Sequence, residues 1–553
     1  MNFKRLMIKA LFFKARAFEE ATRDPIAAQK RVLFDCVARG KGTEYGRACG
    51  FSGIKSISDF QASVPLADYE RLRTYIDRMK KGEANILTAD PVILFGSTSG
   101  TTAQPKLIPI TKYSRAVKAG VMDIWAYYVA RDHPRVVDGR VLAVVSPEIE
   151  GYTESGIPYG AESGHGYKNM PWAVKGLYAL PYQVFDIADY ESRYYCILRI
   201  GMECGDVTTV VTLNPSTFII LCQKAEFWKG RIIEDIENGT LFAGLDISSD
   251  IRKALERILR PNPGRAEELK AIVSERKELL PKYFWPRLEV IECWKASAAK
   301  LYLKELPRYF GAVPVRDLGC LSTEARSSIP MGDKGAGGVL AINANFYEFI
   351  PKEDIDKEKK RILLCDQLEA GKEYFLVVTT PGGLYRYNID DIIRVDGFFN
   401  KTPVIEFVQK GLNAVSLAGE KLYEAHVSRA VNRALARHRL SIGFFSASVE
   451  WGSPPRYLFL MEFSDHPSPE QKRALLRSIE EELYGQNSEY KEKRRAQLLG
   501  APVLKVVARG DFERYRARKI GEGSPDSQFK VPELVADFEF QDKFHIEEEI
   551  GMD

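Results

Sequence analysis

The sequence has few of the patterns that mark secreted, metal-binding or membrane proteins. Its eight cysteines are scattered without a C-x-x-C pair, and its six histidines show no metal-ligand spacing. Neither a disulfide framework nor a zinc site is therefore indicated. No segment approaches the roughly 18 consecutive apolar residues that a membrane span requires. These absences predict a cytoplasmic protein in a reducing compartment, without a membrane span.

The sequence also lacks an excess of one charge. The 79 Lys and Arg residues nearly balance the 75 Asp and Glu residues, which leaves a net charge of +4. This balance gives no reason to expect a nucleic-acid partner. The spacing G-x-x-x-x-G-K-[ST] is absent, and no G-x-S-x-G motif follows a strand. A Walker-type phosphate loop and a hydrolase nucleophile elbow are therefore not indicated.

The N-terminal stretch, residues 1–17, is basic and partly apolar. Lys9 and Lys14 confine its apolar core to residues 10–13, which is shorter than the roughly 7–15 residues of a signal peptide. A basic amphipathic helix can also rest on a membrane surface. We expect instead that this stretch is the first helix of the domain.

The rest of the chain divides by pattern into two parts. At 553 residues more than one domain is expected, because single cores stop growing near ~250–300 residues. After a helical N-terminal region, strand-like runs at 141–145 and 207–212 alternate with helical patterns, at 114–131 and from Ser216. This alternation predicts an α/β architecture.

The last part of the chain has a different pattern. Residues 444–451, 457–463 and 503–508 indicate strands, and Ser468 with Gln471 forms a helix-capping box. These elements predict a small α+β unit with its boundary near residues 409–411. We therefore expect an N-terminal domain at 1–409 and a C-terminal domain at 410–553.

The most informative motif is the loop 97–106, which reads S-T-S-G-T-T-A-Q-P-K. It follows the apolar run 92–95, which indicates a buried strand, and precedes a second strand-like run at 107–111. Hydroxyl donors, backbone N–H groups around a glycine and a mobile lysine together suit a polyphosphate. The alternative is a polar surface linker, and the order of the later segments favours the phosphate loop.

Two later segments carry carboxylates beside hydroxyls. Ser322, Thr323 and Glu324 suit Mg²⁺ and a phosphate, although the same letters often cap a helix. Residues 373–380 and 384–387 indicate a hairpin around the turn 381–383, followed by a second turn at 388–391. There Asp391 can accept bonds from vicinal ribose hydroxyls, and Tyr385 or Tyr387 offers a face for a purine. The alternative is an ordinary acidic turn.

A fourth segment, the Gly/Ser/Pro-rich loop 523–532, carries Lys530 near the C-terminus. Most such lysines are solvated surface residues. The order of the four segments, rather than any one of them, is informative. A hydroxyl–glycine loop, S-T-E, Y-R-Y-x-x-x-D and a terminal loop lysine resemble the adenylate-forming superfamily.

Within that superfamily the chain is most similar to the auxin-responsive acyl acid–amido synthetases of plants and bacteria. The resemblance runs nearly from end to end, through T-E-Y-G-R at 43–47, V-P at 64–65, K-G-E at 81–83, F-Y-E-F-I-P at 346–351 and residues 374–395. It implies an adenylate-forming α/β fold, with a large N-terminal domain that binds ATP and the acyl substrate. The small C-terminal α+β domain would be mobile.

The resemblance also implies a set of site residues. The residues implied in nucleotide binding are Ser99, Gly100, Thr101, Thr102, Ser322, Thr323, Glu324, Tyr387, Asp391 and Lys410. Those implied in catalysis are Lys530, Glu324, Thr102 and Lys106, with Glu324 as the Mg²⁺ ligand. The segment 153–158 would border the acyl substrate through Thr153, Gly156 and Ile157. Lys410 would sit at a hinge, and Lys421 and Lys530 on the mobile domain.

The chain departs from the plant pattern at two positions. Cys320 replaces a tyrosine four residues before the glutamate, and Asp390 replaces a glycine before the ribose aspartate. The first change puts contacts with the base in doubt, and the second adds a charge near the nucleotide. Neither change removes a group that the implied chemistry requires.

The resemblance implies an enzyme that activates a carboxylic acid with ATP and Mg²⁺ as an acyl-adenylate. An amine, expected to be an amino acid, then displaces AMP. Two alternatives remain open: an acyl-CoA ligase that uses the same adenylate, and a non-catalytic nucleotide-binding protein. The intact Lys106, Glu324, Asp391 and Lys530 weigh against the second alternative. A rotation of the C-terminal domain about Lys410 and Gly411 is expected between the two half-reactions.

Overall fold

The structure is a computed structural model that describes residues 3–97, 106–213, 215–296, 299–355, 357–411, 414–415, 417, 422–452, 454–487, 490–491, 494, 499–522, 530–535 and 537–552. The chain forms two compact units. The first is built mainly from Met1–Phe407, and the second from Val408–Ser524 with Phe529–Asp553.

The first unit begins with five helices, α1 (Phe3–Ala21), α2 (Pro25–Gly40), α3 (Glu44–Ala48), α4 (Ile57–Ser63) and α5 (Tyr69–Lys80). Most of them start at a side-chain cap, as where Asp68 accepts the Arg71 N–H at 2.9 Å. Ala15 and Phe18 of α1 are buried in the core of the unit. The expectation that the N-terminal stretch is the first helix of the domain is therefore confirmed.

A four-stranded sheet follows, in the order β2-β1-β5-β4. Its strands are β1 (Val92–Ser97), β2 (Leu107–Thr111), β4 (Gly151–Tyr152) and β5 (Pro158–Gly160). β1 pairs antiparallel with β2 and parallel with β5. Both strands predicted around the hydroxyl loop are confirmed. Helix α6 (Lys112–Asp132) starts directly after β2, at a capping box formed by Thr111 and Ser114.

A second, parallel sheet of the first unit has the order β3-β6-β7-β8. Its strands are β3 (Arg140–Ala143), β6 (Val207–Val211), β7 (Val290–Glu292) and β8 (Val315–Arg316). The helices around it are α7 (Glu162–Lys168), α8 (Trp172–Lys175), α9 (Tyr190–Glu203), α10 (Ser216–Asn238), α11 (Ser249–Glu256), α12 (Pro263–Arg276), α13 (Pro281–Phe284), α14 (Ala299–Leu303) and α15 (Leu306–Phe310). The predicted alternation of strands and helices is confirmed.

The third sheet has the order β11-β12-β13-β14-β10-β9. Its strands are β9 (Ser328–Ile329), β10 (Gly338–Leu340), β11 (Phe346–Pro351), β12 (Glu373–Thr379), β13 (Tyr387–Phe399) and β14 (Thr402–Lys410). The turn at 381–383 is confirmed, but the return strand begins at Tyr387 rather than Leu384.

The prediction of a second turn at 388–391 is wrong, because strand β13 continues through these residues. Phe375 pairs with Ile392 and Val377 pairs with Asn388, so residues 389–391 form a bulge inside one strand. Asp390 absorbs the extra length at φ +62°. Aspartate tolerates this left-handed conformation better than most residues, and the plant pattern has glycine here.

The second unit carries a small α+β layer. Its elements are β15 (Ala414–Val415), β16 (Leu422–Tyr423), α16 (Glu424–His438), β17 (Ile442–Glu450), β18 (Arg456–Phe463), α17 (Pro469–Gln486), β19 (Val503–Val507), α18 (Asp511–Gly521) and β20 (Ile546–Ile550). The main sheet has the order β17-β18-β19-β20. The capping box of Ser468 and Gln471 is confirmed at the start of α17.

Each unit has its own apolar core, and the first unit's core joins the N-terminal helices to the third sheet. The second unit's core includes Leu458, Leu460, Phe512 and Phe540. Among the helices in the described part of the chain, none combines the length and apolar character needed to cross a membrane.

Candidate active site

The predicted phosphate loop connects the adjacent strands β1 and β2. Ser99, Gly100, Thr101 and Thr102 lie outside the described residues. The two ends of the loop are described, and Ser97 is the register partner of Leu107. The loop therefore leaves and rejoins the sheet at one edge. The positions of Ser97 and Lys106 therefore locate the two ends of the phosphate loop.

Lys106 stands at the second end of this loop. Its Nζ lies 5.7 Å from the centre of the Tyr69 ring, at the start of α5. The Tyr69 hydroxyl accepts the Leu107 N–H at 3.1 Å. The lysine is therefore placed by a ring that is itself tied to the adjacent backbone.

The S-T-E segment forms a tight turn closed by a bridge between Leu321 and Arg326. Ser322 N–H donates to the Ala325 carbonyl at 2.8 Å. The helix-cap alternative is wrong, because no helix follows this turn among the described residues 320–330. A reverse turn instead presents Thr323 and Glu324 at its tip.

This turn touches the end of β1. The Thr323 hydroxyl donates to the Ser97 carbonyl at 3.2 Å. A Cβ atom at Gly96 would come within 2.4 Å of Thr323 Cγ2, so only glycine allows this approach. The two motifs are 226 residues apart in sequence and are adjacent in the fold.

Lys118 of α6 holds the same turn from the other side. Its Nζ donates to the Thr323 carbonyl and to Glu162 Oε2 of α7, both at 2.7 Å. Lys118 borders a narrow cleft together with Ser114, Glu324 and the turn at 380–382. Glu324 is itself buried in this cleft, at 8% exposure.

Tyr387 and Asp391 belong to β13. The Asn388 N–H donates to the Ala67 carbonyl at 2.7 Å, which ties the start of β13 to the residues before α5. Burial and the negative charges of Glu324 and Asp391 raise the pKa of the Tyr387 hydroxyl well above its usual range. The hydroxyl is therefore neutral, and Glu324, Tyr387 and Asp391 are electrostatic neighbours.

Cys320 faces the same region. Burial raises the pKa of its thiol to about 12, and Asp391 contributes to the rise. The substitution of Cys320 for tyrosine thus places a neutral thiol near the predicted ribose carboxylate. Cys320 N–H donates to the Ser328 hydroxyl at 2.9 Å, which fixes the backbone before the S-T-E turn.

Tyr385 was the other candidate for a purine face, and its ring is already covered. It stacks on Tyr45 with ring centres 5.4 Å apart and meets the edge of Phe51 at 4.9 Å. Its hydroxyl donates to the Leu87 carbonyl at 3.2 Å. Tyr385 is therefore a core residue, which leaves Tyr387 as the candidate.

Between these two tyrosines lies a buried ion pair. Arg386 donates from Nε and Nη2 to the two carboxylate oxygens of Glu348, each at 2.9 Å. Arg386 Nη1 also donates to the carbonyls of Gln61 and Val64. The backbone of Arg386 has φ +46°, and this set of bonds holds it there.

The predicted acyl segment is the tip of the hairpin between β4 and β5. Ile157 N–H donates to the Thr153 hydroxyl at 3.1 Å, and Gly156 adopts φ +80°. The Ser155 hydroxyl donates to the Lys80 carbonyl at 2.9 Å, at the end of α5. Because β5 pairs with β1, this hairpin and the phosphate loop are neighbours in one sheet.

The remaining predicted residues belong to the second unit or its border. Lys410 ends β14, and Lys421 lies outside the described residues. The segment 530–535 begins with Lys530 and is anchored by Glu533, which accepts the Ser428 hydroxyl of α16. The Glu533 N–H donates to Glu424 Oε1 at 2.9 Å. These two hydrogen bonds of Glu533 therefore fix the backbone of the segment that begins with Lys530.

Sequence reasoning missed Lys118 and the Arg386–Glu348 pair. Lys118 lies in an amphipathic helix where a lysine is ordinarily solvated, and its two partners are 44 and 205 residues away. Arg386 was inside the Y-R-Y motif but had no assigned partner. Nothing local in the sequence identifies either set of contacts.

Comparisons with known proteins agree with this geometry. The GH3 family N-terminal domain matches residues 14–315, its central domain residues 338–410 and its C-terminal domain residues 425–539. The chain is 25% identical to a jasmonoyl–L-amino acid synthetase of Nicotiana attenuata, over 94% of this chain and 92% of that one. It is 27% identical to an indole-3-acetic acid-amido synthetase of Arabidopsis thaliana, over 96% and 92%.

The fold agrees as well. A solved GH3.15 acyl acid amido synthetase superimposes with a TM-score of 0.87 at 24% identity, over 97% of each chain. This match confirms the predicted fold class. The three domain matches together span most of the sequence, and the predicted resemblance to acyl acid–amido synthetases is confirmed. The chain belongs to the GH3 family.

Proposed function

We propose that this protein is an ATP-dependent ligase that activates a carboxylic acid as an acyl-adenylate and transfers the acyl group to an amine, an amino acid. Family membership supports the reaction class, since its relatives are named as synthetases that join an acid to an amino acid. One observation carries the proposal: the S-T-E turn contacts the end of β1 through Thr323, and its Glu324 is an electrostatic neighbour of Tyr387 at the start of β13.

In the first half-reaction a carboxylate oxygen attacks the α-phosphorus of ATP and pyrophosphate leaves. Negative charge builds on the α-phosphoryl oxygens and on pyrophosphate, so donors and cations held in place beforehand lower the barrier. We assign this role to the loop residues Ser99, Gly100, Thr101 and Thr102, and to Lys106 at the end of the loop. The contact of Thr323 with Ser97 supports a fixed start for the loop.

Asp391 and Tyr387 would bind the nucleoside. Asp391 accepts from the ribose hydroxyls, and Tyr387 borders the nucleotide beside Ser322 and Thr323. The bulge at 389–391 supports this assignment, because it turns the backbone of β13 out of its regular register at this carboxylate. The backbone bond from Asn388 to Ala67 keeps the bulge in place.

Mg²⁺ is proposed as part of the bound ATP. No cluster of three or more His, Cys, Asp or Glu side chains in the described ranges could hold a metal ion. Mg²⁺ at nucleotide sites commonly takes one or two carboxylates and completes its shell with phosphates and water. The buried Glu324 fits the role of such a carboxylate. The ion would neutralise charge on the phosphates when bound.

We propose a division of tasks between the two parts of the chain. Residues 1–409 bind ATP and the acyl substrate, with Thr153, Gly156 and Ile157 at the acyl end. Residues 410–553 supply Lys530 on a mobile domain, with Lys410 at the hinge. The anchoring of segment 530–535 through Glu533 supports a lysine presented on an ordered backbone.

A cytoplasmic location is proposed as well. All eight cysteines are free thiols, and six of them are buried. Free thiols throughout a chain of this length fit a reducing compartment. Burial raises the pKa of most of these thiols, as for Cys196 to about 12, so they are inert rather than reactive.

Pyrophosphate exchange over a panel of carboxylic acids tests the proposal. The wild-type protein should exchange pyrophosphate into ATP only when an accepted acid is present. Amino acids and coenzyme A are then compared as acceptors, and we expect an amide product rather than a thioester. A protein that binds ATP but shows no exchange with any acid would be a nucleotide-binding protein instead.

Lys530→Ala sharpens this test. Removing one charge that stabilises the α-phosphoryl group should cut exchange by about 10²-fold or more. Binding of ATP should be nearly unchanged. Lys519→Ala is the matched control, because Lys519 pairs with Glu522 on the surface of α18 in the same unit. Exchange at the wild-type rate in the Lys530 variant would remove this lysine from the mechanism.

A further inference from the structure

The transfer half-reaction sets a chemical requirement that the ATP site does not meet. An amino acid carries its amine as an ammonium ion at neutral pH, and an ammonium nitrogen has no lone pair with which to attack a carbonyl. A group beside the acyl substrate must therefore bind the ammonium and take a proton from it. This requirement rests on the proposed function.

Glu150 lies at the junction where such a group is needed. Its N–H donates to the Tyr159 carbonyl at 2.8 Å, immediately before the acyl hairpin. Tyr159 is in turn the register partner of Phe95 in β1, two residues before Ser97. Glu150 is thus fixed between the hairpin and the strand that leads into the phosphate loop.

The side chain of Glu150 is partly buried, and one of its oxygens lacks a well-formed hydrogen bond. Its Oε1 is fully buried and makes no well-formed hydrogen bond with any residue that the structure describes, and the same holds for Ser97 Oγ. Burial raises the pKa of the Glu150 carboxyl, and an interaction with the neighbouring Ser97 hydroxyl partly counteracts the rise. The two side chains thus face each other without good hydrogen-bond geometry, and each retains the capacity to accept from a further group.

The neighbouring titratable side chains already form hydrogen bonds and ion pairs with one another. Glu148 accepts from His165 Nδ1 at 2.6 Å and pairs with Lys168 Nζ at 2.8 Å. Arg115 donates to His165 Nε2 at 2.7 Å, so both ring nitrogens are used. The Tyr159 hydroxyl lies against Gly151. Glu150 is the carboxyl of this group that retains an unfilled acceptor.

We propose that Glu150 binds the ammonium group of the acceptor amino acid and removes its proton, with Ser97 Oγ accepting a second N–H. The carboxylate takes one proton from the ammonium, which becomes an amine. The amine lone pair attacks the acyl carbon of the adenylate, and a C–N bond forms. The C–O bond to phosphate breaks and its electron pair leaves with AMP. The second nitrogen proton is released to solvent as the amide forms.

Glu150→Gln separates this role from adenylation. Glutamine keeps the shape of the side chain but cannot accept a proton. Pyrophosphate exchange should stay within about twofold of wild type, since the first half-reaction does not involve the amine. Amide formation with an amino acid at neutral pH should fall by about 10²-fold or more, the usual scale for losing a general base.

Hydroxylamine provides the decisive comparison, because it is uncharged at neutral pH and needs no base to expose its lone pair. Transfer to hydroxylamine should therefore stay within a few-fold of wild type in Glu150→Gln. Raising the pH should partly restore transfer to the amino acid, as free amine accumulates. Equal loss with both acceptors, or no loss with either, would overturn the proposal.

Two further variants complete the test. Glu267→Gln changes an exposed carboxylate on α12, outside the residues assigned to the site, and should leave every rate unchanged. If Glu150→Gln does not fold, Glu150→Asp provides a second test, because the shorter side chain moves the carboxylate away from the ammonium group. This variant should slow transfer to the amino acid more than transfer to hydroxylamine. A wild-type protein without acid-dependent exchange would refute the proposed function itself, an outcome distinct from any result with Glu150.

Discussion

Two carboxylates withdrawn from solvent in the first unit differ in what surrounds them. Glu348 is 1% exposed, and both of its oxygens accept from Arg386, with Gln61 as a third donor. Glu150 is partly buried, and its buried Oε1 has no well-formed hydrogen bond within the described part of the chain. The fully paired carboxylate fixes a backbone conformation. The incompletely paired one is positioned for a group that the chain itself does not supply.

The difference follows from the energetics of buried charge. A buried ion costs several kcal/mol in lost hydration, and it persists only when partners restore that energy. Glu348 has those partners in the folded chain, so its removal should cost stability. Glu150 lacks some of them, so its removal should cost function but little stability.

Breaking the paired site should have the largest effect. Glu348→Ala leaves the Arg386 guanidinium buried without its carboxylate, and should lower the free energy of unfolding by about 3–5 kcal/mol. Urea unfolding of the first unit measures this change. Glu353→Ala is the control, because Glu353 pairs with Arg361 at the surface and should cost under about 1 kcal/mol. A loss of similar size in both variants would contradict the contrast.

Removing the ribose carboxylate should have an intermediate effect. Asp391→Ala should weaken ATP binding by about 1–3 kcal/mol, the range for charge-assisted hydrogen bonds, as measured by calorimetry. Asp390→Asn is the matched control, since asparagine keeps the left-handed backbone at φ +62° and removes only the neighbouring charge. If only the Asp390 variant weakened binding, the assignment of the bulge would be wrong by one residue.

The smallest effect on stability is expected at Glu150. Its raised pKa in the folded state means that the folded protein binds this proton more tightly than the unfolded chain does. The resulting stabilisation is present below the carboxyl's unfolded pKa and is lost as the pH rises through the folded value. Glu150→Gln should therefore be as stable as wild type in acid and equally or more stable at pH 8. A variant that is markedly less stable at pH 8 would show that Glu150 is a paired structural group.

The sequence predicted elements whose signals are local. The strands on either side of the hydroxyl loop, the helix capped by Ser468 and the turn at 381–383 each depend on a few neighbouring residues, and the structure confirms them. The bulge at 389–391 was mistaken for a turn. Acidic residues without glycine or proline fit both, and only pairing with β12 distinguishes them.

Local sequence patterns could not predict the contacts that form the cleft. Lys118 reaches Thr323 across 205 residues, and Thr323 reaches Ser97 across 226. Glu150 is a single glutamate in a connecting segment, and its place beside β1 results from the bond of its N–H to Tyr159 of β5, which pairs with β1. The motif order identified which chemistry to expect. The fold was needed to show which side chains share one site.

Oxygen labelling of the acid tests whether the reaction passes through an acyl-adenylate. The accepted carboxylic acid is labelled with heavy oxygen in its carboxyl group, and the nucleotide formed during amide synthesis is analysed by mass spectrometry. We expect AMP that carries one labelled oxygen, because the carboxylate oxygen that attacks the α-phosphorus stays on phosphorus when the amine displaces AMP. Unlabelled AMP, or ADP with labelled inorganic phosphate, would contradict an acyl-adenylate intermediate.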